Sequence, residues 1–380
     1  MFEKIVDFIK SLYPGEDPVP LHAPRFPGNE KKYLIDCIDT TFVSYVGQYV
    51  TRFEDAIRRF TGAKYAVAVS SGTAALHVAL LLAEVAPGDE VITQPLTFVA
   101  TANAISYCGA KPVFLDVERS TLGLDPEKLN DFLISNGILK SDGRCYNKTT
   151  GRKIAACVPM HTLGHPVRID QVIEICQRYQ IPVVEDAAEA LGSFYKGQHV
   201  GTWGDIGILS FNGNKPVTTG GGGMIITNDE KHAAKAKHLT ATAKQPHPWK
   251  FVHDDVGYNY RLPNINAAVG CAQMECFAVV LENKRITAQM YKQFFQDIGI
   301  PFITEPAHAR SNYWLNAIVL KDRQEREQFL AYSTDRGIQI RPVWTLMPNL
   351  PMYRHCQSIS LETAQWLEDR LVNIPSSVRI

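Results

Sequence analysis

The chain of 380 residues has no excess of charge of either sign: 39 Lys and Arg balance 39 Asp and Glu. That balance excludes a basic field for nucleic acid or for an anionic membrane surface, so a phosphate-bearing ligand has to be held by local donors. It has no unbroken apolar run near the ~20 residues that a membrane-spanning helix needs. The first twenty residues, MFEKIVDFIKSLYPGEDPVP, are amphipathic and carry acids, with no small-residue cleavage site. They read as a packing helix and not as an export signal. None of the eight cysteines lies in the close pairs of zinc or redox motifs, which points to reduced thiols and a cytoplasmic protein. Repeats and low-complexity tracts are absent too, and the first strand is followed by SSGTAA, not by the G-x-G-x-x-G of a dinucleotide-binding fold.

What is present is an alternation. Short apolar runs at 65–69, 90–93, 112–116, 154–159, 181–184, 206–211 and 224–227 read as strands. Helical patterns at 74–85, 100–108 and 170–179 lie between them. Strands without period-2 polarity that alternate with helices predict a mostly parallel sheet covered on both faces. Residues 135–153, rich in Gly, Lys, Asn and Thr, read as an inserted hairpin or loop. Beyond 266 a long helix, a strand at 316–320 and a helix at 323–332 predict a smaller α+β domain. The expected division is an N-terminal arm and helix over 1–30 packing on the small domain, a large α/β domain over 31–265, and the small domain over 266–380.

Four local features carry chemistry. Ser70-Ser71-Gly72-Thr73-Ala74 joins a strand to a helix, and such a helix start offers free N–H groups to a phosphate. The same residues make a good helix cap. Glu185-Asp186-Ala187-Ala188-Glu189 follows an apolar strand, which sets Asp186 at a carboxyl end, where open α/β sheets bind ligands. A carboxylate there can pair with a pyridinium nitrogen, or it can cap the next segment. Ser210-Phe-Asn-Gly-Asn-Lys215 runs into four glycines, 220–223. A lysine beside such a run can be desolvated and made nucleophilic, and Ser210 can donate to a phosphate. The fourth feature, Gly257-Tyr-Asn-Tyr-Arg261-Leu-Pro-Asn-Ile-Asn266, is aromatic and polar and leads into an apolar helix; it also fits a domain-junction loop.

In this order the four features resemble the DegT/StrS-type sugar aminotransferases, which have the type I, aspartate-aminotransferase-like fold of pyridoxal-phosphate (PLP) enzymes. The resemblance implies a large domain with a mostly parallel seven-stranded sheet and a smaller C-terminal α+β domain. It makes Lys215 the Schiff-base lysine and proton carrier, and Asp186 the partner of the pyridine nitrogen. Glu189 falls on the ring-oxygen side, Gly72, Thr73 and Ser210 at the phosphate, and Phe98 over the ring. It takes Asn259 to the phosphate of the neighbouring subunit's cofactor, hence to a homodimer. The all-glycine turn 220–223 departs from the Gly-Glu-Gly of the wider family, so no acid can act there.

A finer resemblance is to the LegC-like branch of the bacillosamine and legionaminic acid routes. It is carried by Leu21-His-Ala-Pro-Arg-Phe-Pro-Gly-Asn-Glu30, Gly143-Arg-Cys-Tyr-Asn147, Thr240-Ala-Thr-Ala-Lys244 with His247, and Asn373-Ile-Pro-Ser-Ser377. It implies amination of C4 of a UDP-linked 4-keto-6-deoxy-N-acetylhexosamine by L-glutamate, with pyridoxamine phosphate between the two half-reactions. His161, Tyr313, Trp314, Arg341 and Trp344 are the candidate sugar or nucleotide contacts, and each also fits a packed core or surface position. The alternatives are a related enzyme acting on C3 or on a dTDP- or GDP-linked sugar, and a non-catalytic protein of the same fold. A sugar dehydratase of this fold carries histidine in place of the lysine, and Lys215 argues against it.

Overall fold

The structure is a computed structural model, and it describes residues 1–379. Seven strands make the central sheet: β1 (Tyr65–Val69), β2 (Glu90–Thr93), β3 (Lys111–Leu115), β4 (Ile154–Val158), β5 (Val184–Asp186), β6 (Ile206–Ser210) and β7 (Gly223–Thr227). Their order is β1-β7-β6-β5 and β4-β2-β3. Parallel bridges Cys157–Val183 and Met160–Asp186 join the two halves between β4 and β5. Only β7 runs antiparallel to its neighbours, so the expected mostly parallel sheet of type I is found. A two-residue strand, Ser358–Ile359, adds to the β3 edge.

Near-continuous Val, Ile and Ala runs suit strands buried on both faces. One face packs Phe53, Ile57, Phe132 and Phe277; the other packs Leu76, Leu80, Ile105 and Leu239. Each such large side chain contributes roughly 1.5–3 kcal/mol of transfer free energy. One strand is displaced from its expected place: β5 begins at Val184, not at 181. Pro182 has no N–H to give, and the Val183 N–H goes to the Asp205 carboxylate at 2.8 Å. Asp186 is therefore the last residue of the strand.

Residues 135–153 contain an antiparallel hairpin, Gly137–Leu139 with Cys145–Asn147. The helix Asn264–Asp297 spans both parts of the molecule. Its first half puts Ala267, Cys271, Phe277 and Leu281 into the large core, and its second half puts Tyr291 and Phe295 into the core of the C-terminal part. A division at 265/266 falls inside this helix, because apolar residues continue on its buried face through both halves. It is the one helix among the described residues long and apolar enough to cross a membrane, and its buried face serves these two cores.

The helix Phe2–Leu12 buries Ile5, Val6, Ile9 and Leu12 with Tyr291, Phe295 and Phe329. The arm then pairs Val19 with Ile338 and runs beside the chain's end, where Ser376 N–H donates to Leu21 O at 2.7 Å.

Candidate active site

The ends of β1, β5 and β6, the Phe98 turn beyond β2 and the start of β7 enclose a cavity of about 330 Å³ at the carboxyl edge of the sheet. Ser71 caps the helix Gly72–Leu82 by accepting from Ala74 N at 3.0 Å. Gly72 and Thr73, whose first-turn amides have no intrahelical acceptor, line the cavity. A Cβ at Gly72 would stand 2.8 Å from Ser210 Cβ, and one at Gly223 would stand 2.3 Å from Ser71 O. The two glycines thus let the phosphate-type cradle, Ser210 and the glycine turn close on one another.

Lys215 is buried beside two acids. Its Nζ lies 3.3 Å from Glu189 Oε1, and it sits 3.5 Å over the Trp314 ring centre. Burial lowers the Lys215 amine, and Glu189 and Asp186 oppose that shift. Burial also pushes the Glu189 carboxyl up to about 7 against the pull of Lys215. Glu189 Oε2 accepts from Leu163 N at 2.9 Å. Asp186 is held by Thr101 Oγ1 at 2.7 Å and Ala188 N at 3.2 Å. Burial raises its carboxyl too, with the Thr101 hydrogen bond the first of the opposing effects. No basic side chain forms an ion pair with Asp186 among the described residues. A nearly buried carboxylate facing a cavity without a cation in contact is a site for a cationic ligand atom.

The sequence profile of the DegT/DnrJ/EryC1/StrS aminotransferase family matches residues 25–380.

The chain belongs to that family.

It is 36% identical over 360 residues to the GDP-perosamine synthase of Escherichia coli O157:H7, covering 94% of this chain and 93% of that protein. It is 37% identical over 334 residues to the putative pyridoxal phosphate-dependent aminotransferase EpsN of Bacillus subtilis (strain 168), covering 88% and 83%. Among solved structures, the aminotransferase TlmJ from Streptoalloteichus hindustanus superposes with a TM-score of 0.84 at 25% identity, over 94% and 93% of the two chains. The chain is thus a sugar aminotransferase of PLP-dependent fold type I.

The residues present fit that cofactor. The unpaired Asp186 carboxylate suits a protonated ring nitrogen, the Gly72–Thr73 amides and Ser210 suit a phosphate, and the buried amine of Lys215 suits an aldehyde carbon. Gly72, Thr73, Phe98, Asp186, Glu189, Ser210, Lys215, Trp314 and Trp344 all line the one cavity.

Four candidates from the sequence do not. His161 is fully buried behind Asp186: its Nε2–H donates to Glu185 at 3.1 Å, and its Nδ1 accepts from Val167 N at 3.2 Å. Both nitrogens are therefore used in the core. Tyr313 is buried, with its hydroxyl accepting from Glu305 N at 3.0 Å. Arg341 lies exposed on a short edge strand. Asn259 is also exposed, bridged through its backbone to Ala241.

Thr101, Asn212 and Asn214 line the cavity and were not singled out by the sequence, although the asparagines stand inside the Ser210–Lys215 motif. Asn312 was missed as well. Its Nδ2 donates to Glu189 O and Leu191 O, both at 2.9 Å, and its Oδ1 accepts from Trp314 N at 2.8 Å. It thereby fastens the Trp314 loop to the loop that carries Glu189.

Proposed function

We propose that this aminotransferase moves the amino group of L-glutamate to the C4 keto group of a UDP-linked 4-keto-6-deoxy-N-acetylhexosamine. The observation that carries the amino-transfer chemistry is the buried triad of Lys215, Glu189 and Asp186 around one cavity. PLP bound there would supply an electron sink and a carrier for the amino group. Lys215 holds the cofactor at rest. The same amine would take the proton from the donor's α-carbon and would return a proton to C4 of the sugar. A lysine whose amine is lowered by burial is suited to both directions of that transfer.

In this reading Asp186 keeps the ring nitrogen protonated, oriented by Thr101 and Ala188 N. Gly72, Thr73 and Ser210 hold the phosphate, Phe98 covers the ring, and Glu189 faces its oxygen side. Asn259, exposed and outside its own cavity, serves the cofactor of a second subunit in a homodimer. Trp314 and Trp344 line the cavity and are suited to the apolar face of a hexose.

The UDP-linked substrate is supported by the LegC-type strings at 21–30, 143–147, 240–247 and 373–377. A second reading, a GDP-linked 4-keto sugar, is favoured by relatives at 36% identity that are named GDP-perosamine synthases. Turnover with glutamate of UDP-, GDP- and dTDP-linked 4-keto-6-deoxy sugars, with products assigned by NMR, decides between them. Amination of the UDP-N-acetyl sugar at C4 with the highest kcat/KM is the expected result; preference for a GDP sugar, or amination at C3, would refute it.

A further inference from the structure

Behind Trp314 lies a second buried lysine. Lys284, on the helix Asn264–Asp297, is 1% exposed. Its Nζ donates to Ser376 O at 2.7 Å and Trp314 O at 3.1 Å, and it lies 2.9 Å from His22 Nε2. An ammonium has three donors, and here it meets three acceptors. His22 then accepts at Nε2, so its ring proton sits on Nδ1, which is buried and has no partner. Burial alone pushes the Lys284 amine down to about 7, with no carboxylate to oppose it.

The three acceptors come from three separate segments: the arm at 21–23, the chain end at 373–377, and the loop that carries Trp314. These include two of the strings that mark the LegC-like resemblance, and in space they lie against each other. Ser376 N–H donates to Leu21 O at 2.7 Å, and Ala23 N–H donates to Ser377 Oγ at 2.8 Å. The Trp314 ring in turn lies 3.5 Å from Lys215 Nζ, and its Nε1–H donates to Asn214 O at 2.7 Å. A methionine or leucine could fill the Lys284 site without the cost of burying an amine. Neither could hold three acceptors at one point.

We propose that Lys284 is a positioning residue: by tying the Trp314 backbone to the N-terminal arm and the chain end, it holds the indole against the Lys215 amine and so sets how readily that amine carries a proton. Its place in catalysis rests on the reading of Lys215 above, whereas the geometry does not. An aromatic face favours the ammonium form of the lysine over it. The other titratable groups that act on Lys215 are Glu189 and Asp186. His22 faces Lys284 and feels the charge of both lysines. Tyr13 and Tyr291 bond the neighbouring Pro375 carbonyl.

The test uses the full chain without cofactor, as wild type, Lys284→Met, Trp314→Leu and the double variant. Labelling of Lys215 by acetic anhydride against pH, read by mass spectrometry of its peptide, gives the midpoint of that amine. Each single variant is expected to lower the midpoint by about half to one and a half pH units, the cation–π contribution converted to a pKa. The double variant should go no lower than either single one. A merely structural clamp would lower the melting temperature in Lys284→Met and leave the midpoint where it was, which overturns the proposal; so do additive shifts. Lys284→Gln keeps part of the donor set and decides the matter if Lys284→Met does not fold, with a smaller downward shift expected and an unchanged midpoint fatal. If Lys215 does not hold the cofactor, borohydride mapping fails while these shifts remain, so the two failures are distinguishable.

Discussion

Replacing Asp186 by asparagine should change stability and activity in opposite directions. Asp186 is 2% exposed, and among the described residues its carboxylate accepts hydrogen bonds from Thr101 Oγ1 and Ala188 N. Asparagine can keep both, accepting from Ala188 N and donating to the Thr101 hydroxyl. Without cofactor, the substitution removes a buried charge that no cation among the described residues contacts directly, a relief of about 1–3 kcal/mol less the longer-range attraction of Lys215. The sign with pH follows from the raised carboxyl of Asp186. The folded state holds a proton where the unfolded chain has lost it, so the cost appears as pH rises above 3.8, the ordinary value. Asp186→Asn should therefore match wild type in acid and be more stable near pH 7.5.

With cofactor, the same change removes an ion pair worth about 4 kcal/mol at 4 Å and an effective dielectric constant near 20. That corresponds to about three decades in kcat. Urea unfolding of the cofactor-free and cofactor-loaded proteins, with single-turnover rates, measures both effects. A cofactor-free Asp186→Asn protein clearly less stable than wild type at pH 7.5, or a rate within tenfold of wild type, would refute the reasoning.

Glu189→Gln tests the other acid. Its carboxyl moves from 4.5 to about 7 on folding, so in wild type its contribution to stability falls as pH rises through that window and its cost is complete above it. The variant should gain on wild type by up to about 3 kcal/mol across the window, less whatever Lys215 loses with its partner; parallel pH–stability curves would contradict the shift. Asn312→Ala leaves Glu189 O, Leu191 O and Trp314 N without their partner and should cost about 3 kcal/mol in urea unfolding at about 1 kcal/mol for each bond. A loss below about 1 kcal/mol would show that the loop is held elsewhere. Asn259→Ala should weaken PLP binding without changing the sedimentation coefficient, and wild-type affinity would remove the proposed cross-subunit role.

The sheet was legible in the sequence because strands buried on both faces read as short apolar runs, and all seven were recognised within a few residues. Only β5 moved appreciably, since the apolarity of Ile181–Val183 could not show that Pro182 and the Asp205 carboxylate interrupt the pairing. The cavity residues that local motifs carry, such as Lys215, Asp186 and Gly72, were legible for the same local reason. His161 was not, because a polar residue just past a strand can turn to either side, and here Glu185 draws it into the core. Asn312 and Lys284 act on partners far away in sequence, the latter on His22 at a separation of 262 positions, and nothing in their immediate neighbours marks that work.

The central claim is that one amine, Lys215, both holds the cofactor and carries the proton. Borohydride reduction of the PLP-loaded protein, followed by peptide mapping and by turnover of Lys215→Ala, tests it most directly. The account predicts the reduced cofactor's mass on the peptide that contains Lys215, and no measurable transamination by the variant. The mass on any other lysine, or turnover retained in Lys215→Ala, would contradict it.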